Sequence, residues 1–441
     1  MNPRLLAFEV LSEVESTNRF ADALLGRYLT ESDLDPADRA LATVLVYGTI
    51  THQLTLDYTI AGLSSRRLAQ IDTDALVLLR MGLFQLNFLD RVPAYAVVDT
   101  AVNLARRHAP GAAGFINALL RRASREGLRP LADADEQDRL SIEYSHPQWL
   151  VDLWIDELGI DGAVALMDAN NRPAPTVLRA LGDRGDTIER LRDLGYEAHE
   201  GKYAPAAVVV ESGGNAGAAQ AGAVSQGEAS QLAVLFSGVK PGDRVLDACA
   251  APGGKTAYLA QLAGPDGMIT AVDPASGARR RIEDTLRRCG DGPRADVEII
   301  EAGIDRFDGA GEYDFVIVDA PCSGLGTLRQ HPEIRWRRYP EDLEDLAARQ
   351  ARILDRAAAW VRPGGCLVYS TCTIASSEND AVVDDFLSRE AGFEEAPGTG
   401  DLTRAGVDAE ELVGSDGRLR IFPDQHDADG FFAARLQRRR G

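Results

Sequence analysis

The sequence predicts a multidomain chain: an all-α helical bundle, a small α+β subdomain and an α/β doubly wound core, over residues 1–140, 141–220 and 221–441. Apolar residues recur at helical spacing through the first third of the chain, and from Glu228 onward short apolar runs alternate with helical segments. A length of 441 residues with 45% hydrophobic content can bury more than one core, and length alone argues for two or three domains.

Within the bundle, Leu6, Val10 and Val14 repeat at i, i+4. A second helix is announced by Asp35 as N-cap, Pro36 at the first helical position and Asp38 in the first turn, ahead of Leu41, Val44 and Leu45. Further apolar stretches run from Leu76 to Leu89 and from Val97 to Leu104. Phe115 to Arg122 closes the bundle as a basic amphipathic helix that either faces nucleic acid or packs and is solvated. The polar stretch from Leu131 to Arg139 reads as a linker, and Ser145-His146-Pro147 opens the α+β unit. The Gly/Ala/Ser-rich stretch from Ser212 to Gly222 marks a loop.

In the third domain a helix at Ala229 to Phe236 precedes strands at Val245-Leu246, Met268 to Val272, Val297 to Ile300, Phe315 to Val318 and Leu367 to Tyr369, with last strands at Phe393 to Ala396 and Phe431 to Leu436. Alternating β and α segments imply a parallel sheet with ligand sites at the carboxyl ends of its strands.

The net charge of −21 sets solubility, so phosphate binding has to rest on local patches such as Arg279-Arg280-Arg281, Arg287-Arg288, Arg121-Arg122, Arg335 with Arg337-Arg338, and Arg438-Arg439-Arg440. Five cysteines without a regular framework, no charged-then-apolar leader and no apolar run long enough to span a bilayer predict a reducing, cytoplasmic setting without membrane contact. Neither a CxxC pair nor a histidine cluster accompanies the cysteines, so no metal is expected.

The first strand of the core runs into Asp247-Ala248-Cys249-Ala250-Ala251-Pro252-Gly253-Gly254-Lys255-Thr256. Small residues there let backbone N–H groups approach an anion at a helix N-terminus, and the spacing is neither a dinucleotide fingerprint nor a P-loop. The next strand ends at Asp273, whose carboxylate can accept both hydroxyls of a ribose or serve as a plain helix cap.

Two cysteines follow two strands, Cys322 in Asp319-Ala320-Pro321-Cys322 and Cys372 in Ser370-Thr371-Cys372. Carbon 5 of a pyrimidine is a poor nucleophile; a thiolate added at carbon 6 turns the ring into an enamine that attacks an electrophilic methyl group. Ending that reaction needs a base at carbon 5 and departure of the thiolate, where a second thiol can assist. The pairing therefore points to cytosine carbon-5 methylation in RNA, against the alternative that both thiols are small buried hydrophobes. An ordinary thiol is mostly protonated at neutral pH, so Cys372 needs a helix N-terminus or a cation such as Lys255. Asp319, at the end of a buried strand, is placed to donate to the ring nitrogen. Trp336 and nearby arginines are candidates for the mouth of the pocket, Trp336 also for packing.

Three motifs carry a resemblance: Ala248 to Thr256; Asp319 to Thr327 with Arg329, Pro332, Glu333 and Trp336; and Ser370-Thr371-Cys372 followed by Glu378-Asn379. Together they resemble the Sun-type RNA 5-methylcytosine methyltransferase family, closest to its branch acting on 16S ribosomal RNA. Arg39-Ala40-Leu41, Leu83 to Leu86, Pro93 to Val98 and Phe115-Ile116-Asn117 resemble a NusB-like RNA-binding domain. The resemblance covers nearly the whole chain. It implies a Rossmann-like core that uses S-adenosyl-L-methionine, with Ala250, Ala251, Pro252, Gly253, Gly254 and Lys255 lining the cofactor, Asp273 on its ribose and Asp319 between cofactor and base. It also implies Cys372 as nucleophile and Cys322 in product release.

Three positions depart from the family pattern. The acidic residue past the third strand has only a displaced counterpart in Asp305, Gly227 stands where the family has an aspartate, and Leu178-Arg179-Ala180 keeps a motif arginine without its following asparagine. Expected partners are 16S rRNA or a small-subunit assembly intermediate, with a monomeric enzyme. The competing readings are a tRNA cytosine-5 methyltransferase and a non-catalytic RNA-binding or antitermination factor.

Overall fold

The computed structural model describes residues 2–17, 19–135, 138–211, 217–290, 292–309 and 312–440. Two compact units result, Met1–Pro173 with Leu328–Arg337, and Ala174–Thr327 with Arg338–Gly441.

The first unit is helical: α1 (Pro3–Ser16), α2 (Ala21–Glu31), α3 (Pro36–Thr51), α4 (Gln53–Leu63), α5 (Thr73–Phe88), α6 (Ala94–His108), α7 (Ala113–Glu126), α8 (Arg139–Tyr144) and α9 (Gln148–Asn171). Asp35 caps α3 by accepting from the Asp38 amide at 2.9 Å, with Pro36 at the first position. Leu6, Val10 and Val14 enter one core with Leu45, Val46 and Leu78. The apolar face of α3 is shifted by a residue from the expected one: Ala42, Leu45 and Val46 are buried, whereas Val44 is 44% exposed. Between Leu131 and Arg139, residues 136–137 lie outside the described residues; Leu131–Asp133 forms a single 3-10 turn.

The second unit opens with β1 (Thr176–Ala180), α10 (Arg184–Asp193), β2 (Ala198–Glu200), β3 (Ala207–Val210) and β4 (Ala223–Ser225), an antiparallel sheet in the order β2-β3-β1-β4. Of the loop expected from Ser212 to Gly222, residues 212–216 lie outside the described residues.

The core continues through α11 (Glu228–Ser237), β5 (Arg244–Asp247), α12 (Gly254–Ala263), β6 (Met268–Val272), α13 (Ala278–Arg288), β7 (Asp296–Ile300) and β8 (Tyr313–Asp319). After β8 the chain enters α14 (Ile334–Arg337) of the helical unit, then returns as α15 (Pro340–Ala358), β9 (Val361–Thr371), α16 (Asp380–Arg389), β10 (Phe393–Glu395), α17 (Thr399–Arg404), β11 (Leu419–Ile421), α18 (Pro423–His426) and β12 (Phe431–Arg438).

The large sheet has the order β10-β12-β9-β8-β5-β6-β7, with β11 also paired to β12. Strands β9, β8, β5, β6 and β7 are parallel, while β12 runs antiparallel to β9, β10 and β11. The sheet is therefore mixed where a parallel one was expected, because the last strand, β12, inserts between β9 and β10 and runs opposite to both. Among the described residues no helix is long and apolar enough to cross a membrane.

Candidate active site

All the residues singled out for chemistry belong to the second unit, and most converge at the carboxyl ends of β5, β6, β8 and β9. That convergence follows from parallel pairing: Asp247 lies opposite Ile317, and Asp319 opposite Ser370.

After β5 the loop through Ala250, Ala251 and Pro252 reaches Gly253, whose φ of 103° is a left-handed value that a side chain adopts only with strain. Gly254 starts α12, so the first turn of that helix opens at the loop. Thr256 donates its hydroxyl to Asp247 at 2.7 Å. Burial raises the Asp247 carboxyl to about 6, the Thr256 hydrogen bond opposing it. Cys249 shares the loop, and burial pushes its thiol well up, which leaves it an unreactive packing residue.

Asp273, 8% exposed, follows β6. Its carboxylate accepts from the Ala251 amide at 3.0 Å and the Ala275 amide at 2.8 Å, so it both caps the next turn and steadies the loop. Asp305 sits in a 3-10 turn, Ile304–Arg306, with its side chain 64% exposed and Arg306 3.9 Å away. An acidic residue does stand directly past β7, contrary to the expectation that only the displaced Asp305 does: Glu301 accepts from the Gly277 amide at 2.9 Å.

Lys255 points its ammonium at Asp319, Nζ to Oδ2 2.7 Å, and over the Phe431 ring at 5.0 Å. Burial acts to lower the Lys255 pKa, but the charge and hydrogen bond of Asp319 outweigh it and hold the ammonium above its ordinary value. Ser370 donates to the other Asp319 oxygen at 3.2 Å. Asp319 therefore enters the site as an ion-paired acceptor, and the donor facing the same space is Lys255.

The half-buried thiols of Cys322 and Cys372 lie 3.2 Å apart. Their hydrogen bond, in which either sulfur can be the donor, followed by burial, drives the Cys322 thiol well up. The loop after Cys322 is fixed by Gly326, whose amide donates to the Cys372 carbonyl at 3.0 Å and whose own carbonyl accepts from the Gly430 amide at 2.7 Å. A Cβ on Gly326 would fall 2.1 Å from the Gly430 oxygen, so only glycine fits there.

The expected RNA-facing residues are placed differently. Trp336 belongs to the helical unit, where its indole donates to the Ile50 carbonyl at 2.9 Å. Arg335, fully buried, donates to the Ser145 carbonyl, the Asn171 side chain and the Asn170 carbonyl, and burial lowers its pKa to about 9. Arg337 donates to the Val14, Thr17 and Arg19 carbonyls. These three residues hold helix ends, which are rich in unpaired carbonyls.

Arg179, 1% exposed, is consumed by Gln226 and Gln261 and stacks over Tyr258 at 4.3 Å. Of the other basic runs, Arg287 pairs with Asp284, Arg122 with Glu126 and Arg439 with Glu394, and Arg280, its side chain 89% exposed, pairs with Asp284 at 3.9 Å. Burial and pairing were invisible to a count of adjacent arginines.

Residues 235–437 match the family described as 16S rRNA methyltransferase RsmB/F, residues 1–125 the NusB family, and residues 146–216 the RsmF/B-like ferredoxin-like domain. The chain is 34% identical over 451 residues to the "Probable ribosomal RNA small subunit methyltransferase B" of Bacillus subtilis, covering 99% of this chain and 98% of that one. It is 33% identical over 452 residues to the "Ribosomal RNA small subunit methyltransferase B" of Pseudomonas syringae pv. tomato, covering 99% and 97%. The crystal structure of PH0851 shares the fold, with a TM-score of 0.84 over 99% of both chains at 24% identity.

Proposed function

The chain belongs to the RsmB/F family of 16S rRNA methyltransferases, and on that premise we propose that it methylates carbon 5 of a cytosine through a covalent cysteine–cytosine intermediate. The observation that carries this reading is the 3.2 Å pair of thiols beside the Lys255–Asp319 ion pair.

The residues present fit S-adenosylmethionine. Ala250, Ala251, Pro252, Gly253 and Gly254 offer a close approach of backbone, Lys255 flanks them, Asp273 presents a carboxylate for ribose hydroxyls, and Asp305 is the candidate on the adenine side. When bound, S-adenosylmethionine supplies an electrophilic methyl group.

Cys372 adds as thiolate to carbon 6 of the target cytosine, and the ring electrons move toward the ring nitrogen. The Lys255 ammonium, held protonated by Asp319, is the nearby donor for that nitrogen, and Asp319 can accept from the exocyclic amine. Carbon 5 then takes the methyl group. For release, the carbon 5 proton must leave and the carbon 6–sulfur bond must break, its electron pair returning to Cys372. The Cys322 S–H, 3.2 Å from Cys372, can protonate the departing sulfur, and the resulting Cys322 thiolate can take up the carbon 5 proton while the ring nitrogen returns its proton to Lys255; both cysteines then end as thiols, and Cys372 gives one proton to solvent before the next addition.

The target base has to leave any stack to reach two half-buried thiols, which favours a loop nucleotide. The NusB match supports RNA docking by the helical unit, and the names of the relatives favour ribosomal over transfer RNA. A purely RNA-binding factor would have no use for the ion pair and paired thiols together.

The test is transfer of labelled methyl from S-adenosylmethionine to unmodified small-subunit rRNA and, separately, to bulk tRNA, with nucleoside mass spectrometry of the product. Wild type, Cys372→Ala and Cys322→Ala are compared. Transfer to rRNA as 5-methylcytosine, lost in Cys372→Ala and trapped as a protein–RNA adduct in Cys322→Ala, supports the reading. Transfer only to tRNA overturns the substrate, and activity surviving Cys372→Ala overturns the mechanism.

A further inference from the structure

We propose that Glu378 is the positioning residue for the release thiol, Cys322, and that its neighbour Asn379 positions the attacking thiol, Cys372. The inference rests on the two-thiol reading above and assigns the geometry of each thiol to one of two consecutive side chains.

Both loops bearing the cysteines are irregular, so no ladder hydrogen bonds fix the thiols directly. Side chains do so instead. The Glu378 carboxylate, fully buried, accepts from the Ser323 amide with both oxygens, at 2.9 and 3.1 Å. That amide belongs to the peptide immediately after Cys322. On the other side, Gln350 donates to the Pro321 carbonyl at 3.0 Å and to Glu378 at 3.3 Å. Arg338 donates to the Ser323 carbonyl at 3.0 Å. Cys322 is thus bracketed by a network in which Glu378 is the shared acceptor.

Asn379 brackets Cys372 in the same way. Its Oδ1 accepts from the Thr371 hydroxyl at 2.6 Å and its Nδ2 donates to the Thr373 carbonyl at 3.0 Å. The Ser323 and Thr373 hydroxyls meet at 2.9 Å, joining the two brackets, and the Tyr369 hydroxyl donates to the Glu378 carbonyl at 2.6 Å.

An acidic residue without exposed surface is costly, because desolvation opposes its charge. Burial does push the Glu378 carboxyl up, and the Ser323 hydrogen bonds pull against that rise. A buried carboxylate whose acceptor capacity is spent on the cysteine loop fits a role in fixing that loop. A loose Cys322 would still leave Cys372 free to attack, so its loss of position would be felt at release.

The experiment follows single turnovers of wild type, Cys322→Ala, Glu378→Ala, Glu378→Gln and Asn379→Ala on unmodified small-subunit rRNA. Protein–RNA adduct and freed methylated RNA are measured separately, and S-adenosylmethionine binding reports folding. Glu378→Ala is expected to raise the ratio of adduct to freed product roughly tenfold toward the Cys322→Ala level, the size expected for losing a buried hydrogen bond. Glu378→Gln, which keeps one acceptor oxygen, falls between. Asn379→Ala slows adduct formation without accumulating adduct.

The proposal is overturned if Cys322→Ala traps adduct while the Glu378 variants lower adduct and product together. If Glu378→Ala binds no S-adenosylmethionine, the ratio in Glu378→Gln decides by the same criterion. Should Cys322→Ala itself trap nothing, the two-thiol reading falls, and the positioning roles with it.

Discussion

The sulfur of Cys322 lies 3.2 Å from the sulfur of Cys372, fifty residues further along the chain. Parallel pairing of β8 with β9 sets Asp319 opposite Ser370, and each strand then turns its cysteine into the same space. The distance is short enough for a hydrogen bond and longer than the roughly 2.05 Å of a covalent S–S bond.

Mild oxidation should therefore inactivate the enzyme reversibly. A diazene oxidant such as diamide would take two electrons and two protons from the pair, forming a Cys322–Cys372 disulfide and itself becoming the hydrazine. The expected outcome is loss of methyl transfer together with two alkylatable thiols, both restored by dithiothreitol. Loss of activity with all five cysteines still alkylatable would contradict it.

Removing the Lys255 ammonium should cost more than removing an exposed charge. Lys255→Met takes away the proposed donor to the base and leaves Asp319 without its 2.7 Å partner. Methyl transfer at saturating cofactor is expected to fall about 10²- to 10⁴-fold, the usual range for a positioned proton donor. A drop below tenfold in single-turnover rate would remove Lys255 from the chemistry.

The helical unit should lose stability in mild acid. Burial, then the charge of Arg335, lowers His52 to about 4, and His146, fully buried, is shifted down by the same two causes. Both histidines are neutral in the fold, whereas an unfolded histidine takes a proton near pH 6.5. The unfolded chain thus binds more protons between about 6.5 and 4, so stability is full above that window and declines as pH falls through it, by up to about 1.4 kcal/mol per pH unit per histidine. Hydrogen exchange of α3 to α5 at pH 7.5 and pH 5.5 measures it, and protection that is unchanged or stronger at pH 5.5 would be inconsistent.

Arg80 joins α5 to α4 and α1 by donating to both Asp57 oxygens at 2.7 Å and to Glu15 at 2.6 Å. Its side chain is only 8% exposed. Asp57→Ala leaves a buried guanidinium half-paired and is expected to cost about 3–5 kcal/mol, read as faster exchange of α4 and α5. A loss under 1 kcal/mol would mean that the arginine re-pairs.

The elements were legible where local chemistry fixes them. Asp35, Pro36 and Asp38 announced α3, and every parallel strand of the core was marked by its apolar run between turn residues. Three contiguous motifs were enough to nominate Lys255, Asp319, Cys322 and Cys372, and the structure gathers these four side chains at neighbouring strand ends. The reversed direction of β12 was not legible, since an apolar run has no direction until it finds a partner. Nor was the fate of Arg179, Arg335 and Trp336, nominated for RNA by resemblance or by neighbouring arginines: Arg179 and Arg335 are buried, and the Trp336 indole is spent on the Ile50 carbonyl.

By itself, then, the sequence determined the order of domains and nominated the cofactor loop and the reacting groups, because those depend on residue type and short spacing. Only the tertiary structure decided that Asp319 is ion-paired to Lys255, that Glu378 and Asn379 brace the two cysteine loops, and which arginines are spent on carbonyls. Each of these is a contact between residues far apart in the chain, set by strand register and burial, and neither quantity is written in any local window.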